Sequence, residues 1–347
     1  MKNILVTGGC GFIGSNFIRV AINNGYKIIN LDVLTYAGNL ENLADIENDP
    51  NYKFIKGDIA DRILLEKIIL NNKIDCIINF AAESHVDRSI LNATPFIRTN
   101  IMGTQALLDT ACKHNIERFI QISTDEVYGS LGKTGFFTEE TPLAPNSPYS
   151  ASKAGADLLV RAYVKTFELP AVIIRCSNNY GPFQFPEKFI PLIITNALND
   201  QLIPLYGDGL NIRDWIFVKD FCQAICLVME KGRVGEIYNV GGNSEKTNID
   251  LLALILDQLK KPKTLIKKVK DRLGHDRRYA IDFSKIKNEL GWEPEYKFKK
   301  GITETIQWYL DHREWVQRVR SHQYQQYYDQ NYKKRLNEPD NEDNKKA

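Results

Sequence analysis

Short, nearly continuous apolar runs alternate with longer amphipathic stretches through the first 180 residues of the chain. Apolar runs of this length are typical of parallel strands that helices cover on both faces. They predict six strands, at residues 3–7, 27–32, 53–56, 76–80, 118–122 and 171–175. The amphipathic stretches predict helices at residues 13–23, 62–71, 101–114 and 152–168. This alternation predicts an α/β fold built on a Rossmann-like, doubly wound parallel sheet with right-handed crossovers.

The regular alternation ends near residue 177, where a stretch with three prolines (178–191) predicts a loop. Beyond the loop, the pattern predicts helices at residues 192–199 and 249–260 and strands at residues 203–206 and 237–240. Residues 214–230 are predicted to form a strand followed by a helix. We therefore predict a first domain (1–179) and a smaller α/β domain (180–322) that is partly interwoven with it. Residues 323–347 have almost no aliphatic side chains, which predicts a frayed polar tail unless its tyrosines pack on the fold.

The charge balance limits the class of partner that the chain can bind. The 347 residues include 45 Lys and Arg against 43 Asp and Glu, which gives a formal net charge of +2. This balance argues against a nucleic-acid binder that works by bulk positive charge. No apolar run approaches the ~18–20 residues that span a bilayer, and the first residues show no secretion signal.

The six cysteines and five histidines show no spacing that is typical of a metal site. Cys222 and Cys226 are four residues apart, which is the spacing of one helix face rather than that of a zinc or redox motif. Buried, reduced thiols explain the cysteines better than metal ligands do. We expect a metal-free, cytoplasmic enzyme that binds neither nucleic acid nor a membrane.

A glycine-rich turn joins the first predicted strand to the first predicted helix. Gly8, Gly11 and Gly14 recur at three-residue intervals, and Gly9 gives a second register of the motif, Gly-x-Gly-x-x-Gly. Either register lets the backbone approach a pyrophosphate, whose charge then lies at the N-terminus of the helix. Any tight strand-to-helix turn needs glycines, so the motif gains its weight from its position after the first strand.

Acidic residues follow the second and third predicted strands. Asp32 ends the second strand 18 residues after Gly14, close to the ~20 that separate such a turn from a ribose-binding acid. A carboxylate there accepts hydrogen bonds from both ribose hydroxyls and repels a 2′-phosphate, so we expect NAD rather than NADP. Asp58 is placed to contact the adenine, although a helix-capping role explains it equally well.

Tyr149 and Lys153 are four residues apart, which places a phenol and an ammonium on one face at the start of a predicted helix. A neighbouring lysine lowers the pKa of a phenol and can also bind a nicotinamide ribose. Tyr149 stands 25 residues after a predicted strand, which leads into residues 123–126. Both segments therefore fall at the carboxyl edge of the sheet, where doubly wound folds bind their ligands.

The chain resembles the extended short-chain dehydrogenase/reductase family and, within it, the dTDP-glucose 4,6-dehydratases. The segments that carry the resemblance run from residue 4 to about 310 and include AAESHVDRSI (81–90), STDEVYG (123–129), RCSNNYGP (175–182), FPEK (185–188), IRDW (212–215) and GHDRRYAID (274–282). The glycine motif and the Tyr-x-x-x-Lys pair are generic to the superfamily. The triplet Thr124, Asp125, Glu126 is the informative part, because it separates dehydratases from relatives that only epimerise or oxidise.

The resemblance implies that dTDP-glucose is converted to dTDP-4-keto-6-deoxyglucose and water, for rhamnose-type deoxysugar synthesis, with NAD regenerated in each cycle. Tyr149 then removes the 4-hydroxyl proton while NAD takes the C4 hydride, and Thr124 holds the hydroxyl. Glu126 removes the C5 proton, Asp125 protonates the departing 6-hydroxyl, and the hydride returns to C6. Two adjacent carboxyls with opposite tasks need different pKa values, which a like charge in a dry site produces.

The resemblance also implies which residues bind, with the cofactor in residues 1–179 and the sugar nucleotide in residues 180–322. The implied cofactor residues are Gly8, Gly11, Phe12, Ile13, Gly14, Asp32, Thr35, Asp58, Ile59, Ala81, Ala82, Ser84, Thr99, Tyr149, Lys153 and Asn179. The implied substrate residues are Ser84, Thr124, Asn178, Glu187, Lys188, Phe189, Pro204, Tyr206, Arg213, Asn248, Arg272 and His275. Leu273 stands where the family pattern has a proline, which weakens the assignment of Arg272 and His275.

Three alternatives stay open: a 4,6-dehydratase for a UDP-, CDP- or GDP-linked sugar, a 4-epimerase, and an NAD-binding module without catalysis. Asp125 and Glu126 disfavour the epimerase, because epimerisation eliminates no water. The presence of both Tyr149 and Lys153 disfavours the inert module.

A homodimer is a further implication of the resemblance. Relatives pair the helices that match residues 101–114 and 152–168 into a four-helix interface. Leu158, Leu159 and Tyr163 give the second of these helices an apolar stripe, although a helix that faces its own core explains the stripe equally well.

Overall fold

The computed structural model describes residues 2–320, 328–329 and 334–337. Its centre is a parallel sheet of seven strands: β1 (Asn3–Thr7), β2 (Lys27–Asp32), β3 (Tyr52–Lys56), β4 (Cys76–Asn79), β5 (Arg118–Thr124), β6 (Ala171–Cys176) and β10 (Ile237–Val240). The strands lie in the order β10-β6-β5-β4-β1-β2-β3. The strand order therefore reverses between β1 and β4, where doubly wound sheets form their ligand crevice.

Helices cover both faces of this sheet. Those in the first half of the chain are α1 (Phe12–Asn23), α2 (Arg62–Asn72), α3 (Val86–Leu91), α4 (Thr94–Phe96), the π-helical segment Ile97–Gly103, α5 (Thr104–Lys113) and α6 (Pro148–Phe167). Ile4 and Val6 of β1 belong to the buried cluster that contains Phe17 of α1. Leu5 belongs instead to a second cluster, with Leu107 of α5. Alternate residues of one strand thus enter opposite cores, which explains the continuous apolar runs in the sequence.

The second half of the chain forms smaller layers beside the carboxyl edge of the sheet. Its helices are α7 (Phe189–Leu198), α8 (Val218–Lys231), α9 (Asn248–Gln258), α10 (Ser284–Leu290), α11 (Phe298–Asp311), α12 (Arg313–Val319) and α13 (Lys334–Asn337). Its remaining strands are β7 (Asn178–Tyr180), β8 (Ile203–Tyr206), β9 (Ile212–Phe217), β11 (Glu245–Thr247) and β12 (Ile266–Val269). Strands β7, β9 and β11 form one small sheet, and β8 pairs with β12.

The predicted fold class is confirmed. Strand β10 pairs with β6 in the large sheet, although it belongs to the second half of the chain. Helix α8 likewise packs against α1. The two halves therefore share elements, and the domain boundary at residue 179 stays a prediction. Within the described residues, no helix combines the length and the apolar character needed to cross a membrane.

Two predicted elements differ clearly from the structure, and some helices were not predicted at all. The predicted loop 178–191 contains β7, and α7 already begins at Phe189. The helix predicted at 101–114 starts earlier, with the π-helical segment Ile97–Gly103. Helices α11 and α12 were not predicted. A three-residue strand such as β7 is stabilised by its partner β9, which lies more than thirty residues away, and a local pattern carries no signal for that pairing.

The predicted polar tail, 323–347, lies mostly outside the described residues. Tyr328 is buried in the core of the second half, and its hydroxyl accepts a hydrogen bond from Nδ2 of Asn196 on α7 at 2.9 Å. At least one tail tyrosine therefore packs on the fold.

Candidate active site

The turn between β1 and α1 lies in close contact with the neighbouring strand end. Gly8 has a φ of +70°, and a Cβ on it would lie 2.7 Å from backbone atoms of Ala81. A Cβ on Gly14 would lie 2.6 Å from the carbonyl oxygen of Gly8. Gly11 is the N-cap of α1 and supplies no side-chain acceptor for the first N–H groups of the helix. These N–H groups and the helix dipole favour an anion at the turn.

Asp32 lies at the end of β2, where two backbone groups orient its carboxylate. Its Oδ2 accepts a hydrogen bond from the N–H of Cys10 at 2.9 Å, and its Oδ1 accepts one from the N–H of Leu34 at 2.8 Å. Burial raises the pKa of Asp32, and the two backbone hydrogen bonds oppose this shift. The carboxylate is therefore fixed at the edge of the turn, as a ribose-binding acid needs to be.

Asp58 is not the cap of the helix that follows it. Asp61 is that N-cap, and its Oδ1 accepts a hydrogen bond from the N–H of Leu64 at 3.0 Å. The helix-capping alternative for Asp58 is therefore wrong. Asp58 instead accepts a hydrogen bond from the N–H of Ala60 and forms an ion pair with Arg98 at 3.2 Å.

One cleft connects the glycine turn with the carboxyl ends of β4, β5 and β6. All the residues that the resemblance implies for the cofactor line it. The substrate residues that line it are Ser84, Thr124, Asn178, Glu187 and Lys188. Asp125 and Glu126 line it between the two sets. The cleft thus offers helix N–H groups, a carboxylate and close backbone at one end, which fits a dinucleotide, and the acid pair at its centre.

Several acceptor atoms of the cleft are buried and have no hydrogen-bond partner among the described residues. They are Oδ2 of Asp125, Oδ1 of Asn178, Oδ1 of Asn179 and Oε1 of Glu187. Buried polar atoms are almost always satisfied, so these four acceptors fit a ligand that carries hydroxyl or amide donors.

Thr124 is the last residue of β5, and Asp125 and Glu126 begin the short 3-10 turn that follows it. The Thr124 hydroxyl donates to Oδ1 of Asp125 at 3.3 Å and accepts from the N–H of Glu126 at 3.2 Å. Burial raises the pKa of Asp125 well above its usual value, and the neighbouring Glu126 raises it further. Burial also raises the pKa of Glu126, but Arg272, Arg213 and Lys188 oppose this shift. Both carboxyls therefore have raised pKa values, but cations oppose the shift of Glu126, whereas the neighbouring Glu126 adds to the shift of Asp125.

Tyr149 lies in the first turn of α6 because Ser147 caps this helix and forms a capping box with Ser150. Its ring is buried, 8 % exposed, and packs edge-to-face with Phe96. Burial raises the pKa of Tyr149 well above 10, and the charge of Glu126 adds to this shift. Burial thus determines the net shift, whose direction is the opposite of the one that the spacing of Tyr149 and Lys153 suggests.

Lys153 explains that difference through its hydrogen bond. Its Nζ donates to the carbonyl oxygen of Ile122 at 2.6 Å, and burial lowers its pKa. The opposing influence on this pKa is Asp157, one turn further along α6. Asp157 is itself buried, paired with Arg175 at 2.9 Å, and accepts from the Ser123 hydroxyl at 3.0 Å. A buried polar network thus fixes this part of α6 against β5 and β6.

Cationic side chains of the second half surround Glu126. Lys188, Arg213 and Arg272 are close enough that their charges lower its pKa. Nζ of Lys188 donates to the carbonyl oxygen of Ser84 at 2.7 Å. Among the described residues, Lys188 and Arg213 form no ion pair with a carboxylate, so their charge is available to a diphosphate.

The remaining implied substrate residues are only partly brought together. Tyr206 and Arg272 both contact Asp87, and His275 contacts Asp271 through Nδ1 at 2.6 Å. The side chain of His275 is buried despite the departure at Leu273, which is 76 % exposed. Phe189, Pro204 and Asn248 lie at the start of α7, in β8 and at the start of α9, and do not line the cleft.

Two residues that we did not predict hold this region together. Asp87 accepts a hydrogen bond from the Tyr206 hydroxyl at 2.8 Å and faces Nη1 of Arg272 at 3.6 Å. Arg88 forms an ion pair with the buried Glu187 at 3.0 Å. Both lie in the segment 81–90 that carried part of the resemblance, so the sequence contained a signal but not the tertiary contacts.

A comparison with known proteins decides the family. The family model described as GDP-mannose 4,6 dehydratase matches residues 5–305. The chain belongs to this family. The dTDP-glucose 4,6-dehydratase of Xanthomonas campestris pv. campestris (strain B100) is 54% identical over 337 residues, which cover 92% of this chain and 96% of that protein. The resemblance drawn from the sequence motifs is therefore confirmed.

Solved structures of family members share the whole fold. The crystal structure of dTDP-glucose 4,6-dehydratase from Bacillus anthracis in complex with NAD is 55% identical, with a TM-score of 0.87, and covers 92% of this chain and 100% of that one. The UDP-glucose 4-epimerase of Thermotoga maritima, with UDP-glucose, is 30% identical, with a TM-score of 0.84, and covers 89% and 99%. Dehydratases and epimerases thus share this architecture, and the site residues have to separate them.

Proposed function

We propose that this protein is an NAD-dependent dTDP-glucose 4,6-dehydratase, which forms dTDP-4-keto-6-deoxyglucose and water for deoxysugar synthesis. One observation carries the proposal: the adjacent carboxyls of Asp125 and Glu126 are buried beside Tyr149 with different environments. Loss of water needs both an acid and a base, whereas oxidation or epimerisation needs neither of these two. The relatives named above, one of them solved with NAD, support the substrate and the cofactor.

The residues of the glycine turn, with Asp32 and Lys153, would hold NAD. The N–H groups at the start of α1 bind its pyrophosphate, Asp32 its adenosine ribose and Lys153 its nicotinamide ribose. When bound, NAD supplies the acceptor for the C4 hydride and the donor that returns it to C6.

Tyr149 acts on the 4-hydroxyl group of the sugar. Its phenolate takes the hydroxyl proton as the C4 hydride leaves, and Thr124 orients the same hydroxyl. The product of this step is a 4-ketone, which makes the neighbouring C5 hydrogen acidic.

Glu126 and Asp125 then eliminate water across C5 and C6. Glu126 takes the C5 proton, the electrons of the C5–H bond form a C5=C6 double bond, and the C6–O bond breaks. Asp125 gives its proton to the leaving hydroxyl, which departs as water. The raised pKa of Asp125 favours the protonated form that this step needs. When the hydride then adds to C6 of the double bond, Glu126 returns a proton to C5, which completes the 4-keto-6-deoxy product.

The nucleotide part of the substrate lies on the second half of the chain in this proposal. Lys188, Arg213 and Arg272 bind the diphosphate, and Arg213 is held by the carbonyl oxygen of Asp276 at 2.9 Å and by the ring of Tyr279. Tyr206 and Asn248 contact the nucleoside.

Incubation of the purified protein with dTDP-glucose tests the function. We expect a 4-keto sugar, detected by its alkali-induced absorbance, without added NAD if the cofactor co-purifies. A panel of UDP-, CDP- and GDP-glucose measures the nucleoside preference, and dTDP-galactose as the product would identify an epimerase. Absence of a ketone from every glucose nucleotide would contradict the dehydratase assignment.

Replacing Gly14 with alanine is expected to weaken NAD binding by roughly 10- to 100-fold, because the new Cβ would lie 2.6 Å from the Gly8 carbonyl oxygen and 2.8 Å from Cα of Gly9. Titration of the NAD-depleted protein by calorimetry measures the change. Gly132→Ala is the matched control, since a Cβ there meets nothing within 4 Å. Equal NAD affinity in Gly14→Ala and the control would exclude the turn as the pyrophosphate site.

We also propose that the protein is a homodimer joined through the π-helical segment Ile97–Gly103, α5 and α6. Met102 and Leu158 support this interface, because they are 58 % and 56 % exposed on neighbouring elements. Leu159 and Tyr163 pack instead against the core, so only part of the predicted stripe is available to a partner.

A cytoplasmic location is proposed as well, and the six free cysteines support it.

Replacing Leu158 with glutamate is expected to convert the dimer into a monomer, because two charged side chains would be buried against each other. Light scattering after size-exclusion chromatography measures the mass. Leu40→Glu is the control, since Leu40 is 47 % exposed on the 3-10 segment Leu40–Ile46, which packs against α1 rather than against the proposed interface. A dimeric Leu158→Glu variant would refute this interface.

A further inference from the structure

Helix α13 brings an arginine from the end of the chain to the nucleotide side of the site. The helix packs against β12, the partner strand of β8. The guanidinium carbon of Arg335 lies 4.9 Å from the ring centroid of Tyr206, which is the last residue of β8. This contact is a cation–π interaction. The composition of the tail does not predict it, because the tail is typical of a polar extension.

The donors of Arg335 are not satisfied by this contact. Its Nη1 is buried and has no hydrogen-bond partner among the described residues. Nε of Arg272 is in the same condition. A buried guanidinium nitrogen without an acceptor is unfavourable, so each of the two arginines has a donor that fits an external oxygen.

The charges of both arginines act on the same carboxylate, that of Asp87. Asp87 lies 3.6 Å from Nη1 of Arg272, and its other oxygen already accepts from the Tyr206 hydroxyl. The charges of Arg272 and Arg335 both lower the pKa of Asp87. Lys188 is influenced by Asp87 as well, and also by Glu187 and Glu126. The two guanidinium donors without a partner among the described residues, rather than a surplus of charge, therefore fit an anion with several oxygens.

We propose that Arg335 is a substrate-binding residue that, together with Arg272, donates hydrogen bonds to the diphosphate of the nucleotide sugar. The proposal rests on the proposed function, which puts the nucleotide beside Tyr206 and Arg272. Helix α13 then lies beside the nucleotide site, with Arg335 facing Tyr206. The planar fork of arginine suits bidentate contact with phosphate, which a lysine at the same position lacks.

The test compares wild-type holoenzyme with Arg335→Ala and Arg335→Lys. We expect Arg335→Ala to raise the KM for dTDP-glucose and the inhibition constant of dTDP about 10- to 100-fold, with kcat within about two-fold. Arg335→Lys should recover part of this loss. Inhibition by thymidine, which has no phosphate, should stay unchanged. Arg313→Ala, an exposed arginine on α12, is the matched control and should behave as wild type.

Three outcomes would overturn the role of Arg335, and a fourth would overturn the proposed function. Unchanged inhibition by dTDP in Arg335→Ala excludes the contact. An equal loss of thymidine and dTDP inhibition assigns Arg335 to the nucleoside rather than to the diphosphate. A structural role is indicated if Arg335→Ala binds dTDP more weakly, melts at a lower temperature and also loses NAD, and if Arg335→Lys fully restores binding. If wild type itself neither converts dTDP-glucose nor binds dTDP, the proposed function fails, and that result is separate from any effect of Arg335.

Discussion

Replacing Tyr149 with phenylalanine is expected to reduce kcat for dTDP-glucose by roughly a thousand-fold, which is within the range for loss of a general acid–base group. The phenol is the group that takes the 4-hydroxyl proton in the proposed mechanism, and a phenyl ring cannot take it. The KM should change by only a few-fold, because the ring keeps its packing against Phe96. Steady-state formation of the 4-keto sugar measures both constants.

The pKa of Tyr149 gives this prediction a pH dependence. Burial raises this pKa well above 10, so the reactive phenolate is the minor form at neutral pH. The wild-type rate should therefore keep rising as the pH is raised above neutrality, instead of reaching a plateau near neutral pH. Folding stability should not follow the same curve, because Tyr149 stays protonated in both the folded and the unfolded state below pH ~9.

Tyr26→Phe is the control for this experiment. Tyr26 donates to Glu230 on α8 and does not line the cleft, so its variant should keep wild-type turnover. Retention of more than about a tenth of the turnover in Tyr149→Phe would assign the proton to another group. The exchange of bound NAD should be measured in parallel, since Tyr149 also lines the cofactor end of the cleft.

Local sequence pattern predicts those parts of the fold that local physics determines. The predicted limits of β1 and β2 are confirmed, because a buried parallel strand is a short apolar run and Asp32 ends the second run. The carboxyl ends of parallel strands meet at one edge of the sheet. The order of the elements along the chain is therefore enough to place the glycine turn, residues 123–126 and Tyr149 in one cleft.

The rest depends on contacts between distant parts of the chain. Asp87 stands in a segment that we singled out, but its role needs Tyr206 and Arg272, both more than a hundred residues further along. Arg335 lies in a segment whose composition predicts no structure. The direction of the pKa shift of Tyr149 depends on burial, and the spacing of Tyr149 and Lys153 alone points to the opposite sign.

Replacing Glu126 with glutamine is expected to reduce kcat by roughly a thousand-fold and to stop exchange of the C5 hydrogen with solvent. Glutamine keeps the size of the side chain but cannot accept the C5 proton. Oxidation at C4 does not use Glu126 and should still occur. Mass spectrometry of the sugar after incubation in deuterium oxide measures the exchange, and persistent exchange would remove Glu126 from the role of base.

Asp125→Asn separates the acid from the base. Asparagine cannot donate a proton to the leaving hydroxyl, so we expect kcat to fall about 100-fold while exchange at C5 continues, because Glu126 is intact. Its stability provides an independent control. The pKa of Asp125 is raised in the folded state, so the aspartate destabilises the fold increasingly as pH rises above ~4 towards that raised value.

The asparagine removes this destabilisation. The Asp125→Asn variant should therefore melt at or above the wild-type temperature at pH 8, and this advantage should be absent at pH 4, where the destabilisation has not set in. A variant that loses turnover while it gains stability at alkaline pH cannot have lost activity by unfolding. Exchange at C5 that stops in Glu126→Gln and continues in Asp125→Asn would then assign base and acid to separate carboxyls. If exchange stops in both variants, the two carboxyls act as one coupled base, and the proton for the leaving hydroxyl has to come from elsewhere.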